Sequence, residues 1–240
     1  MVRLQLIMPV VVGAVFLGIN AGRMDANASQ WVSIFVPVGV TVLPCLSCLA
    51  FFSNIFGIDH EGFGAFVLLP TPRHRYVLGK NLALFPITCG LALVFIAMSA
   101  FFIDYRPAVL GAAILQVLQL NLMFCLVGNV LSMYFPFRIR TAGRWGAGNM
   151  STRTQLLMIV VSPMVLMMVA ILTVPTVLGL TVDALLDRFY GFQGISVGFL
   201  VSAFTLLLTV LAYWGSLGPM GRLLLQREQT ILAKLQKDRE

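Results

Sequence analysis

The sequence carries very little charge for its length. Of its 240 residues only 10% are Asp, Glu, Lys or Arg, whereas 59% are hydrophobic, and the mean hydropathy is +0.95. The length alone would allow one or two soluble domains, but this composition excludes them. Long apolar runs recur along the whole chain, and each approaches the roughly 20 residues that a helix needs to cross the hydrocarbon core of a bilayer.

Short segments of alternating hydrophobicity, typical of membrane barrels, are also lacking. A helix satisfies its own backbone polar groups in lipid. We therefore predict an all-α polytopic membrane protein with one domain and six transmembrane helices. The predicted spans are residues 4–20, 31–55, 81–103, 108–135, 156–180 and 195–217. Pro163 and Pro175 predict a kink or break in the fifth span, and residues 218–240 predict an amphipathic cytoplasmic tail that begins as a helix after Gly221.

Basic residues are unevenly distributed among the predicted loops. With the N-terminus inside, every Lys and Arg except Arg23, Arg106 and Arg188 falls on the inner side. The positive-inside rule then places both termini in the cytoplasm. The net charge of +7 is therefore a topology signal, and we expect no nucleic-acid partner.

The N-terminal segment allows a second interpretation. A basic start, an apolar run and the sequence ANA at residues 26–28 resemble a cleavable signal peptide. Arg23 and Asp25 lie between the apolar run and that site, and the run is long for a signal. Retention of the first span is therefore the favoured interpretation.

Chemistry-bearing residues are scarce within the predicted spans. These spans contain no His or acidic residue, which argues against an intramembrane metalloprotease and against an ion-coupled carrier. The four Cys all lie in apolar runs, so the CxxC of Cys45 and Cys48 predicts buried, inert thiols instead of a zinc or redox site. We expect no catalytic residue, metal or cofactor in this chain.

A nucleotide-binding loop is also lacking. The stretch VLGKN ends like a P-loop, but that motif would need Gly at position 74 and Ser or Thr at position 81. The chain has His74 and Asn81 there. If the protein moves a substrate uphill, the energy must come from a partner.

Three uncharged polar residues stand out in the fourth predicted span. Gln116, Gln119 and Asn121 could line a pathway. The favoured interpretation is that they form hydrogen bonds between helices, which contribute about 0.6–2 kcal/mol each in membrane proteins.

The most distinctive stretch lies between the second and third predicted spans. Asp59 could cap a short helix, and Phe63, Phe66 and Val67 follow at helical spacing to make one apolar face. Pro70 and Pro72 would end that helix. A plain connector needs only a few residues, so this segment predicts a rigid helix with an apolar face that requires a partner.

Several residues of this stretch resemble the corresponding segment of type 2 ABC transporter permeases. They are Asn54, Phe56, Gly57, Asp59, Gly62, Phe63, Leu68, Leu69, Pro72, Arg73, Val77, Leu78, Gly79, Lys80, Asn81, Leu82 and Ala83. The sequences GNVLSMYFPFRI at 128–139 and GRLLLQREQTIL at 221–232 resemble later parts of such permeases. The resemblance therefore extends over nearly the whole chain.

The resemblance implies six helices in each half of an exporter in the inner (cytoplasmic) membrane, and a coupling helix that docks on a separate ABC ATPase. That role would fall on Asp59 to Leu69, with Arg73 and Lys80 anchoring the return. ATP and Mg would bind to the ATPase, and a second copy or a similar permease would complete the transporter. The implied coupling residues are Asp59, Glu61, Gly62, Phe63, Phe66, Leu69, Arg73 and Lys80.

Two departures from the family pattern keep an alternative open. Family members usually have an interfacial helix before the first span, and the outer loop predicted at residues 181–194 is short. The alternative is a non-transporting membrane scaffold or immunity-type protein that binds a cytoplasmic partner through the same segment. The residues do not identify a substrate.

Overall fold

The computed structural model describes residues 26–59, 62–136, 152–191 and 196–237. These ranges are helical and contain no strand, which confirms the all-α prediction. The helices are α1 Ala26–Ser47, α2 Leu49–Phe52, α3 Gly62–Leu68, α4 Arg73–Ala100, α5 Pro107–Tyr134, α6 Thr152–Tyr190 and α7 Val197–Lys237. The first predicted span, 4–20, lies outside the described residues, and so does Glu61.

Four of these helices are long and apolar enough to cross a membrane. They are Arg73–Ala100, Pro107–Tyr134, Ile159–Tyr190 and Val197–Ala233. The shortest has 28 residues, or about 42 Å at 1.5 Å per residue, which exceeds the roughly 30 Å of a bilayer core. In α5 56% of the apolar window is buried, against 22–28% in the other three. The others therefore present broad apolar faces to their surroundings, as membrane helices do.

Helices α4 and α6 extend beyond the predicted spans 81–103 and 156–180, and α7 extends beyond 195–217. Helix α4 begins at Arg73, directly after Pro72. Proline ends a preceding helix but is tolerated just before a new one, and the basic residues that follow it are compatible with a helix. Helix α6 continues to Tyr190. The predicted outer loop at 181–194 is therefore largely helical, and Asp183 lies within α6 instead of in a loop.

Proline does not break the two longest helices. Helix α6 runs without a break through Pro163 and Pro175. Helix α7 likewise passes through Pro219 to Lys237, so the predicted separate tail helix is the continuation of the last span. By contrast, the predicted second span 31–55 is interrupted, because α1 ends at Ser47 and only the short α2 follows.

The chain divides into two compact units. Unit 1 comprises Met1–Cys48, Phe85–Met123 and Val169–Ala212, and unit 2 comprises Leu49–Leu84, Phe124–Met168 and Tyr213–Glu240.

In unit 1, small residues let helices approach closely. A Cβ added at Gly179 would lie 2.8 Å from the Cα of Gly198, so only glycine fits at this contact of α6 with α7. The Asp183 carboxylate accepts hydrogen bonds from the backbone N–H groups of Val197, at 2.7 Å, and Gly198, at 2.9 Å. These bonds satisfy two donors that the first turn of α7 would leave without partners.

In unit 2, aromatic rings form much of the interior. The Phe52 and Phe124 ring centroids lie 5.6 Å apart. The backbone N–H of Phe56 donates to the Ser132 hydroxyl at 2.9 Å. The Cys125 thiol is buried and forms no disulfide bond, as the sequence predicts.

Candidate coupling site

Helix α3 begins just after Asp59 and ends just before Pro70, as the sequence predicts. Before it, the Gly62 N–H donates to the Asp59 carbonyl at 2.8 Å, and at its end the Leu69 N–H donates to the Phe66 carbonyl at 3.2 Å. Pro70 and Pro72 prevent further helix and stand exposed to solvent. The predicted short helix between Asp59 and Leu69 is therefore present, over Gly62–Leu68.

Arg73 binds the C-terminal end of α3. Its guanidinium donates to the carbonyl of Val67 at 2.9 Å and to those of Phe66 and Leu69 at 3.2 Å each. Its Nε also donates to the Glu228 carboxylate at 2.9 Å. The last carbonyls of a helix have no partner within the helix, and guanidinium, with five N–H donors, can satisfy several of them. Arg73 thus joins α3, α4 and α7.

Lys80 and Tyr76 hold the other end of the segment. The Asp59 carboxylate forms an ion pair with Lys80 and accepts a hydrogen bond from the Tyr76 hydroxyl at 2.6 Å. The sequence predicts that this carboxylate caps α3, but its observed side-chain partners are on α4. The Lys80 ammonium also lies 5.4 Å from the Phe66 ring centroid, within range of a cation–π attraction. Asp59 therefore fixes the start of the segment to α4.

The two phenylalanines of α3 turn toward their own chain. Phe63 is only 1% exposed, and its ring lies 5.9 Å from that of Phe56. Phe66 is half-buried and its ring lies 4.3 Å from that of Tyr76. The prediction that both rings face a partner protein is therefore wrong. Packing within unit 2 already removes most of their apolar surface from water.

The apolar surface left on this segment lies at its tip. Leu68 is 86% exposed and Leu69 is 49% exposed. Large apolar side chains that lie exposed next to each other are typical of interaction sites. Of the predicted coupling residues, Leu69 is placed there, and Leu68 joins it.

Helix α7 forms the remaining wall of the site. Leu224 and Ile231 are each 1% exposed, and Glu228 lies between them on the same face of the helix. A Cβ added at Gly64 would lie 3.9 Å from the Leu232 side chain. The end of α7 is thus packed on α3 instead of forming a solvated tail.

Tyr76 and Glu228 are site residues that the sequence analysis did not single out. Glu228 could have been found from the sequence, because it is an acidic residue at helical spacing from Leu224 and Ile231 and so lies on the apolar face of the helix. Tyr76 could not, because a tyrosine among basic residues is ordinary at a membrane boundary.

The three possible pathway residues form hydrogen bonds between helices of unit 1. The Gln116 side-chain oxygen accepts from Thr176 at 2.7 Å and that of Gln119 from Thr205 at 3.1 Å. Asn121 pairs with Thr88. All three amides are buried, so these bonds favour the interpretation that they hold helices together.

Across the described ranges, no group of three or more His, Cys, Asp or Glu side chains could hold a metal ion. The chain matches no family model, no curated protein and no solved structure. The functional assignment therefore depends on the residues and contacts of α3, α4 and α7.

Proposed function

We propose that this chain is the membrane-spanning permease subunit of an ABC exporter, of the type 2 kind that its motifs resemble. The observation that carries the proposal is α3, a short helix tied at both ends to a long apolar helix and left with an exposed apolar tip. The chain lies in the inner membrane with six spans and both termini in the cytoplasm. It pairs with itself or a similar permease and with ATPase subunits.

Exposed aromatic residues support the membrane placement. Phe101 after α4 and Tyr190 at the end of α6 are 87% and 81% exposed, and Trp214 in α7 is 70% exposed. Aromatic side chains are enriched where helices pass through the headgroup layer. The 41 residues of α7 span about 60 Å, roughly twice the bilayer core. Part of α7 therefore extends beyond the membrane, and we assign that part to the cytoplasmic end packed on α3.

The exposed residues of α3 support a mode of docking on the ATPase. Leu68 and Leu69 enter an apolar groove on the partner, because they are the large apolar side chains that α3 leaves exposed. Phe63 supports them from inside unit 2. The Asp59 carboxylate pairs with Lys80, so its role is to orient the helix.

Movement of the ATPase reaches the membrane through two helices. Displacing α3 pulls on α4 through Arg73 and Lys80, and it pulls on α7 through Glu228 and the packing at Leu232. Both helices continue into apolar segments long enough to cross the bilayer. ATP hydrolysis on the partner therefore repositions spans directly, without an intervening flexible loop.

The test uses the full chain co-expressed with an ABC ATPase from the same genome and reconstituted in lipid nanodiscs. Leu68→Glu places a charge at the centre of the docking surface, and truncation of a central interface side chain already costs about 2 kcal/mol, or roughly thirtyfold in affinity. We expect the variant to insert normally but to lose the ATPase. Gln229→Glu adds the same charge at an exposed position of α7 and is the matched control.

Two results would count against the proposal. If Leu68→Glu retains the ATPase in full, α3 is a connector. If the wild-type chain binds the ATPase but the rate of ATP hydrolysis by the ATPase is the same with and without the chain, the protein is the scaffold or immunity-type alternative.

A further inference from the structure

Two exposed arginines near the meeting point of α4 and α7 are not used by the proposed coupling mechanism. Arg75 lies two residues after Arg73 on α4, and Arg222 lies in α7. Both side chains are exposed, and neither forms an ion pair with any residue that the structure describes. Unit 2 therefore has two exposed positive charges to which no role has been given.

The register of the two helices follows from two contacts. A Cβ added at Gly221 would lie 2.7 Å from the backbone nitrogen of His74. Further along, Asn81 donates a hydrogen bond to the Tyr213 hydroxyl at 2.6 Å. Residue numbers rise along α4 while they fall along α7, so the two helices run antiparallel with His74 opposite Gly221.

This register places both arginines on one side of the helix pair. Each follows a contact residue by one position, and one position turns an α-helix by about 100°. The two rotations have opposite senses when antiparallel helices are viewed from the same end. Because His74 and Gly221 face each other, these two rotations bring Arg75 and Arg222 to the same side of the helix pair. The two arginines also lie at nearly the same level along the helix axes.

Open apolar surface continues from each arginine along its helix. On α4, Gly79 and Leu82 follow Arg75 on the same exposed face, and Leu82 is 60% exposed. On α7, Gly218 and then Trp214 precede Arg222, and Trp214 is 70% exposed. Cβ atoms added at Gly79 and Gly218 would meet nothing within 4 Å. The surface thus combines a paired cationic end with an uncrowded apolar stretch.

We infer that Arg75 and Arg222 together bind the phosphate of one anionic phospholipid, whose acyl chains lie along the surface of Leu82 and Trp214. Guanidinium groups bind phosphate oxygens in a two-point geometry, and basic pockets between membrane helices on the cytoplasmic side bind anionic headgroups. An acidic protein or a nucleic acid would match the charge but not the adjoining apolar surface. The site rests on the membrane placement proposed above, not on the transport role.

The experiment is native mass spectrometry of the full chain in a mild detergent. The protein is titrated separately with phosphatidylglycerol, phosphatidylcholine and sodium phosphate. We expect phosphatidylglycerol adducts to exceed phosphatidylcholine adducts at equal concentration, and Arg75→Gln and Arg222→Gln each to lower phosphatidylglycerol affinity about fivefold. The matched control is Arg188→Gln, which removes one exposed positive charge at the far end of α6 and should leave the affinity unchanged.

Each other outcome overturns the inference. Equal binding of the two lipids, unchanged affinity in both Gln variants, or an equal loss in Arg188→Gln would mean that Arg75 and Arg222 form no specific headgroup site. Binding of sodium phosphate as tight as that of phosphatidylglycerol would identify a phosphate site without a lipid component. Circular dichroism verifies that each variant keeps its helices. A chain that alkaline washing releases from membranes would instead refute the membrane placement.

Discussion

At the scale of single residues, Arg73 holds the candidate coupling site together. Its side chain is only 16% exposed and makes one ion pair and three backbone hydrogen bonds. Lysine at this position would keep the charge, but its compact ammonium cannot reproduce the planar fork of a guanidinium. The resemblance implies that Arg73 anchors the return from the helix, and in the structure its guanidinium binds the end of α3 and the Glu228 carboxylate.

Arg73→Met should loosen α3 without unfolding the membrane helices. Hydrogen bonds to charged groups contribute about 1.5–3 kcal/mol each, so the opening of α3 should become at least tenfold more frequent. Hydrogen–deuterium exchange of residues 62–69 in the detergent-solubilised chain measures this, and Arg73→Lys should give an intermediate result. Arg75→Met, which removes an exposed arginine from the same turn, should leave exchange unchanged. Equal protection in all variants would show that Arg73 does not hold α3.

At the scale of elements, α3 and the end of α7 behave as one packed group. The buried face of α7 carries Leu224, Glu228 and Ile231, spaced as successive turns of one helix. Phe63, Phe66 and Val67 of α3 line the space beside Leu224 and Glu228, and Gly64 approaches Leu232. Glycine there allows close packing, and it also makes the approach testable by cysteine pairs.

A short thiol crosslinker should join cysteines placed at positions 64 and 232. A Cβ at position 64 would lie 3.9 Å from the Cδ2 atom at the far end of the Leu232 side chain, so the two positions lie within reach of a crosslinker that is longer than a disulfide bond. We expect Gly64→Cys with Leu232→Cys to be linked in membranes treated with a short bifunctional thiol reagent, as detected by mass spectrometry of the linked peptides. Gly64→Cys with Gln226→Cys is the control pair, because position 226 is exposed and lies on another face of α7. Linkage of the control pair to the same extent would mean that α7 does not pack on α3 in this register.

At the scale of the whole molecule, the distribution of basic residues supports the proposed orientation. Arg106 is the basic residue of the short connection between α4 and α5, and it pairs with Asp187 of unit 1. The other described basic residues of the chain, apart from Arg188, belong to the ends assigned to the cytoplasm. The proposed topology therefore has both termini inside and the α4–α5 connection outside.

Reporter fusions test that orientation. A reporter fused after Glu240 should report a cytoplasmic position, and one inserted within residues 104–107 should report an external one, because inner loops attract basic residues. Replacing Arg75 and Arg222 with Glu is the control, because it lowers the inner excess of basic residues without reversing it and should leave Glu240 in the cytoplasm. An external position for Glu240 would rule out the six-span arrangement.

The coarse fold could be predicted from the sequence because it depends on local properties. The apolar run of α5 was predicted at 108–135 and lies at Pro107–Tyr134. The end of α3 was predictable because Pro70 and Pro72 act within a few residues of themselves. The boundaries of α4 and α7 were less predictable, since packing against α3 continues each helix beyond its apolar segment.

The chain's membrane-helix character and the existence of a short helix before Pro70 were determined by the sequence alone, through composition and local backbone restrictions. The direction in which that helix faces was decided only by the tertiary structure. Phe63 is buried instead of exposed, and Arg73 pairs with Glu228, a residue 155 positions away. Spacing along one helix specifies that an apolar face exists, but the segment that covers it depends on which distant helices pack together.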